Sequence, residues 1–173
     1  MIIKAKKFIL RPYRKGDEES LVEHINDKNV SRFMSSRVPF PYKMKDAKWW
    51  INHCLKLARK KNPSEVNFAI DMGGKVIGGM GLMYKGERHM VEIGYWLGRK
   101  YWNKGIMTKA VNLMTDFGFR KMKLKRIYAT VFTKNKVSVR VLEKNKYKFE
   151  GLMKKYHLKN GELIDAILYA KTK

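Results

Sequence analysis

Residues 99–110, RKYWNKGIMTKA, set three cations and two aromatics, then a lone glycine, ahead of a segment with helical apolar spacing. Ile106, Ala110, Leu113, Met114 and Phe117 form that stripe, so Gly105 and Thr108 fall at a helix start. The preceding HMVEIGYWL reads as a strand. A helix N-terminus carries unpaired backbone N–H groups and a partial positive charge, and therefore suits an anion. Two better-known phosphate motifs are excluded. Lys104 precedes Gly105, so no G-x-x-x-x-G-K-[ST] exists, and no G-x-G-x-x-G follows any strand.

The elements that must position this turn follow in order along the chain. KKFILRPY is a first strand ended by Pro12. Asp17 to Asn29 suits a helix through Leu21, Val22 and Ile25. SRVPFPYKM is a proline-bracketed loop ordered by Phe40 and Tyr42. Asp46 caps a second helix to about Lys60, with Trp49, Trp50, Leu55 and Leu57 available to its buried side. VNFAID, an MGG turn and KVIGGMGLMY signal a hairpin. After the turn and its helix come the strand RIYATVF, the short helix VSVRVLEKN, and the strands YKFEGLMKKYHL and ELIDAILYA. Strand, two helices, three strands, helix, strand, helix and two strands make a mixed α/β domain around one central sheet.

Composition narrows the function classes. The 173 residues fit one domain, spanning 1–173, with a full core. A single cysteine, Cys54, forms no internal disulfide, and the four scattered histidines give no metal-ligand spacing. The opening MIIKAKKFILR is too short an apolar run for a signal peptide, and no membrane span is present, so a cytoplasmic location is expected. The formal net charge is +24, from 39 Lys and Arg against 15 Asp and Glu. Such a field attracts phosphate-rich partners, ribosomes and RNA among them. A lysine-rich solubilising surface accounts for the same number, and the lysines are spread along the chain rather than massed in a tail.

The strand, turn and helix EIGYWLGRKYWNKGIMTKA resembles the acetyl-coenzyme A loop of the GNAT (Gcn5-related) N-acetyltransferases. The ribosomal-protein N-acetyltransferase type, with its YWGKGIAT-like run, is the nearest in pattern. FILRPYRKGDEESL is similar to the family's opening, VIGGMGL to its third strand, TKNKVSVRVLEKNKYKFEG to its N-x-x-S segment, and LKNGELIDAILYA to its ending. Five pieces in order cover nearly the whole chain. Asn103 stands where the family usually has Gly, Met107 where it has Ala or Gly, and Lys146-Tyr147 where it has Gly-Phe. Asn tolerates left-handed backbone better than most residues.

The resemblance implies a single domain with a mostly antiparallel sheet of about seven strands, splayed in the middle and flanked by about four helices. It also implies acetyl-CoA as co-substrate and no metal. Backbone N–H groups of Asn103, Lys104, Gly105, Ile106, Met107 and Thr108 would hold the diphosphate. Arg99 and Lys104 would add charge for the ribose phosphate. The pantetheine arm would lie along Tyr95 to Leu97 like an added strand, with a backbone N–H near Leu97 polarising the thioester carbonyl.

Direct transfer to an amine requires no covalent enzyme intermediate. It needs a base for the amine and a donor for the departing thiolate. Glu92 is the candidate base, with Glu87 and His89 behind it; a salt bridge to a lysine is the plain alternative for Glu92. The tyrosine acid of many relatives, seven residues after Asn135, is Leu142 here. The resemblance to the ribosomal-protein type, which has a serine three residues after that asparagine, implies Ser138 as the thiolate donor and Asn135 as a cofactor contact or as the residue that positions the turn. A loop and helix cap is the alternative for Asn135 and Ser138. Asp165 and Tyr169 are as well explained by structure.

The expected acceptor is a primary amine, above all a protein N-terminal α-amine such as that of a ribosomal protein, with a small-molecule amine as the alternative. A polyamine is disfavoured, because a +24 chain repels a polycation. The rival from another class is a non-catalytic RNA- or ribosome-binding module on the same fold. A monomer or homodimer is expected.

Overall fold

The computed structural model describes residues 1–173, which form two compact units. The first comprises Met1–Met83 and Gly94–Ile106, and the second Tyr84–Ile93 and Met107–Lys173.

The first unit is built on β1 (Ile3–Lys4), β2 (Ile9–Arg11), β3 (Glu65–Met72) and β4 (Lys75–Met83), joined as antiparallel neighbours. Gly73 and Gly74, both at positive φ, close the β3–β4 hairpin where Met72 faces Lys75. Its helices are α1 (Glu18–Ile25), α2 (Lys28–Ser31) and α3 (Met44–Ala58). Tyr13, Leu21, Ile25, Tyr42, Ala47, Ile51, Cys54, Ala69 and Val76 form its core, with Trp50 and Trp96 packed against it.

Three local expectations are corrected here. The helix foreseen over Asp17–Asn29 is broken. The Asn26 amide binds the backbone of Tyr42 twice, at 2.6 and 2.7 Å, and the Asp27 carboxylate accepts the Asn29 N–H at 2.7 Å to start α2. Tyr42 is buried and orders the proline loop, whereas Phe40 is exposed. Asp46 lies inside α3 rather than ahead of it and accepts the Lys43 N–H at 2.8 Å; Trp49 points to solvent.

β5 (Met90–Leu97) passes between the units, its first half belonging to the second and its remainder to the first. In the second unit β5 pairs in parallel with β6 (Arg126–Phe132) over Met90–Glu92. β6 then pairs antiparallel with β8 (Glu162–Thr172), and β8 with β7 (Lys148–Lys159). Helices α4 (Ile106–Arg120) and α5 (Lys136–Lys144) complete the chain. The fold is mixed α/β and mostly antiparallel, with eight strands and five α-helices. The strand beyond the expected seven is the two-residue β1, and the extra helix is the split-off α2. No helix is long and apolar enough to cross a membrane.

One buried ion cluster fixes the first unit. Arg11 on β2 is 4% exposed, and its guanidinium grips Asp17 at 2.7 and 2.8 Å and Asp71 at 2.6 Å. Asp17 also accepts the Arg14 N–H at 2.9 Å, and Asp71 the Gly74 N–H at 2.8 Å. One cation therefore ties β2 to the start of α1 and to the β3–β4 turn. Arg11→Ala would leave two carboxylates buried without their partner, and we expect it to lower stability by about 3–5 kcal/mol in urea unfolding.

Candidate functional site

The turn after β5 is organised by its own backbone. The Gly98 N–H donates to the Ile77 carbonyl at 2.8 Å, ending the strand. A 3₁₀ turn follows at Arg99–Tyr101, closed by bonds from Tyr101 N to Gly98 O (3.0 Å) and Trp102 N to Arg99 O (3.1 Å). The Trp102 indole folds back and donates to the Leu97 carbonyl at 2.7 Å. Asn103 (φ 58°) and Gly105 (φ 71°) both take left-handed backbone before α4 begins at Ile106. A Cβ at Gly105 would meet no atom within 4 Å, so glycine is required there by conformation rather than by space.

Asn103, Lys104 and Gly105 are exposed, and Thr108 is half-buried. The side chains of Ile106 and Met107 are buried. Met107, the bulkiest departure from the family pattern, therefore does not stand exposed over the turn. The first amides of α4 have no intrahelical acceptor and carry the positive end of the helix dipole. In the second unit the buried Asn145 side chain donates to the Thr108 carbonyl at 3.1 Å and to Val141 O at 2.8 Å, tying the first turn of α4 to the end of α5.

The far end of α1 supports the turn from within the first unit. Lys100 Nζ lies 2.7 Å from Glu23 Oε1, and Arg99 lies 3.8 Å from the Asp27 carboxylate. Lys100 holds the Glu23 carboxyl below its usual range. The His24 ring sits 5.3 Å from that of Tyr101, and a Cβ on Gly98 would come within 3.1 Å of His24. The His24 Nδ1–H donates to Ser20 O at 2.7 Å, and its buried Nε2 has no hydrogen bond but lies 3.7 Å from Glu23 Oε1. Lys104 lies over the Tyr101 ring at 5.7 Å. Arg99 thus faces a carboxylate while its side chain stays 62% exposed. Glu23, His24, Asp27 and Lys100 were not singled out from the sequence. The signal for two of them was the pair of carboxylates four residues apart on one helical stretch.

Glu92, Asn135 and Ser138 all lie in the second unit. Glu92 is partly buried on β5; its Oε1 accepts the Thr130 hydroxyl at 2.6 Å and its Oε2 lies 3.8 Å from Lys85 Nζ. The lysine contact named as the plain alternative is therefore present, together with a hydrogen bond that orients the carboxylate. His157 on β7 packs edge-on to Phe132 (5.0 Å) and Tyr156 (4.8 Å), with Nε2 buried and unbonded. Burial lowers its pKa, opposed by the charge of Glu92.

Asn135 is the N-cap of α5, and its Oδ1 accepts the Ser138 N–H at 3.2 Å. Leu142 is fully buried. Tyr169 donates to Glu143 at 2.9 Å, and Asp165 accepts the Lys155 N–H at 2.7 Å, so both have structural work. The carbonyl of His89 accepts the backbone N–H groups of Lys125 and Arg126, which anchors the entry to β6. No three His, Cys, Asp or Glu side chains are grouped to hold a metal.

Comparison with known proteins bears on the same geometry. Residues 7–148 match the family model described as an acetyltransferase (GNAT) domain. An uncharacterized N-acetyltransferase, p20, of Bacillus licheniformis is 30% identical over 169 residues, covering 97% of this chain and 94% of that protein. The ribosomal-protein-S5-alanine acetyltransferase from Vibrio fischeri superposes with a TM-score of 0.87 at 25% identity, covering 99% of this chain and 96% of the other. The microcin C7 self-immunity acetyltransferase MccE, solved with acetyl-CoA and AMP, has the same fold, with a TM-score of 0.86 at 22% identity and coverage of 98% and 94%. The left-handed turn at Asn103 and Gly105, opening into α4, thus lies within a match that spans most of the sequence. The chain belongs to the GNAT acetyltransferase family.

Proposed function

We propose that this protein transfers the acetyl group of acetyl-CoA to a primary amine. The acceptor we favour is a protein N-terminal α-amine such as that of a ribosomal protein. The observation that carries the cofactor reading is the exposed turn Asn103–Gly105, whose two left-handed residues turn the chain into α4. Amides from Asn103 to Thr108 would hold the diphosphate, with Lys104 and Arg99 as nearby cations. The resemblance to the family assigns the backbone N–H near Leu97 to the thioester oxygen, with the Leu97 carbonyl held by the Trp102 indole. MccE is an acetyltransferase solved with acetyl-CoA, and the Vibrio fischeri neighbour is named for a ribosomal-protein acceptor; both support this direction.

In the step itself, the neutral amine nitrogen attacks the thioester carbonyl and forms a C–N bond. The tetrahedral intermediate collapses by breaking C–S. The proton lost by nitrogen goes to Glu92, directly or through water, and the thiolate is met by the Ser138 hydroxyl. Thr130 orients the Glu92 carboxylate for that role. Asn135 holds the backbone that presents Ser138, since its side chain is bonded to the Ser138 N–H.

Calorimetry should show saturable acetyl-CoA binding to the intact protein at moderate salt. Gly105→Asp combines a left-handed backbone penalty of about 1–2 kcal/mol with a negative charge against the diphosphate, and should weaken binding by about 100-fold or more. A thiol-release assay over peptide N-termini, small amines and polyamines, with mass spectrometry of products, should find turnover on peptide α-amines. Glu92→Gln should lower kcat by about 100-fold, with the deficit shrinking as rising pH deprotonates the amine unaided.

His157 gives a separate expectation. Its folded-state pKa lies below the ordinary imidazole value, so the unfolded chain binds the proton more readily. Stability should therefore fall as pH drops through that ordinary value. His157→Phe, packed beside Phe132 and Tyr156, should flatten this part of the pH profile in urea unfolding.

A further inference from the structure

We infer that the outward stripe of α3 is a docking surface for single-stranded RNA. Lys45, Trp49, Asn52 and Lys56 recur at i, i+4, i+7 and i+11 on one exposed face of the helix, and Lys48 and Lys60 flank it. Asp46 is the sole carboxylate between Met44 and Lys61, and it is occupied by the Lys43 N–H. The helix is 15 residues long, or about 22 Å, which gives the positive stripe room for several consecutive phosphates.

Trp49 makes this more than a charged surface. Its side chain is 65% exposed, yet it is held flat. Its ring stacks on His53 with centroids 5.2 Å apart and planes within 5°. His53 is fixed in turn by Glu65, at 2.7 Å, and by the Trp50 ring at 5.7 Å. One face of the indole is thus covered by an imidazole that cannot easily swing away. An ordered, half-open indole among lysines is a platform for an unpaired base, and unpaired bases are what proteins read in RNA loops and ends.

The other candidate occupants fit less well. An acidic peptide would answer the lysines but leave the indole face without a partner. A membrane surface would call for further apolar side chains along the stripe, where residues 45, 48, 52, 56 and 59 are polar. A duplex keeps its bases stacked internally. This surface is independent of acetyl transfer, so either can fail alone.

The test is fluorescence anisotropy with an end-labelled single-stranded RNA oligonucleotide, titrated at several salt concentrations against a duplex of the same length. Wild type should bind saturably with log affinity falling linearly in log salt. Trp49→Ala should weaken single-strand binding about tenfold with the salt slope unchanged, should leave duplex binding alone, and should be rescued by Trp49→Phe. Lys45→Gln with Lys56→Gln should reduce the slope by about one to one and a half. These residues are exposed, so the variants should melt as wild type does. No binding at moderate salt, or equal binding by wild type and Trp49→Ala, overturns the proposal. So does an equal loss on duplex, or full displacement by an acidic peptide.

Discussion

The first unit depends on a single cation out of reach of water. Arg11 satisfies two carboxylates at once, one at the approach to α1 and one near the end of β3, and the second also accepts an N–H from the turn that follows β3. Burying three charges is costly unless every partner is present, so the cluster tolerates one arrangement and rejects near misses. That arrangement sets where α1 begins on the sheet. α1 is short, so its direction is then largely determined, and its far end arrives beside the turn at Gly98–Tyr101.

From there the constraint passes to the surface. Glu23 and Asp27 face Lys100 and Arg99, and exposed pairs of this kind contribute little individually. Their effect is directional: they draw two of the turn's cations toward α1, while Lys104 lies over the Tyr101 ring. The buried contact of His24 with Gly98 and Tyr101 does the closer positioning. The same helix end holds Tyr42 through Asn26, so the proline loop and the turn are attached to adjacent residues of one short segment. The turn is closed by its own hydrogen bonds from Gly98 to Trp102 and braced from outside by the end of α1.

The second unit reaches order by a different route. Its buried polar groups are neutral and satisfied in pairs: the Thr115 and Tyr147 hydroxyls meet at 2.8 Å, and Asn145 bridges α5 to the first turn of α4. Tyr147 stands where the family commonly has phenylalanine. Its extra hydroxyl is accommodated because Thr115 supplies a partner, and burial pushes its pKa up, so the phenol stays neutral. His157 on β7 is the exception: its Nε2 is buried with no hydrogen-bond partner, and burial lowers its pKa against the opposing charge of Glu92 on β5. Asn135 caps α5 by accepting the Ser138 N–H, which fixes the backbone of that first turn.

Apolar periodicity and turn residues determined the element order, the β3–β4 hairpin, the extent of α4 and the strand–turn–helix unit, because those depend on spacing of 2 or 3.6 residues and on local backbone preference. The left-handed conformation at Asn103 was legible for the same reason: few residue types accept it. Contacts between residues far apart in the chain were decided only by tertiary structure. Nothing local says that Arg11 will find Asp71, that Asn26 will break a helix by binding Tyr42, or that Trp49 will face water while Trp50 turns inward. Asp46 looked like a cap from its type alone, and the backbone placed it inside the first turn instead. Which of the turn's cations face carboxylates is likewise a matter of where α1 ends, and there Asn26 binds Tyr42, 16 residues away in the sequence.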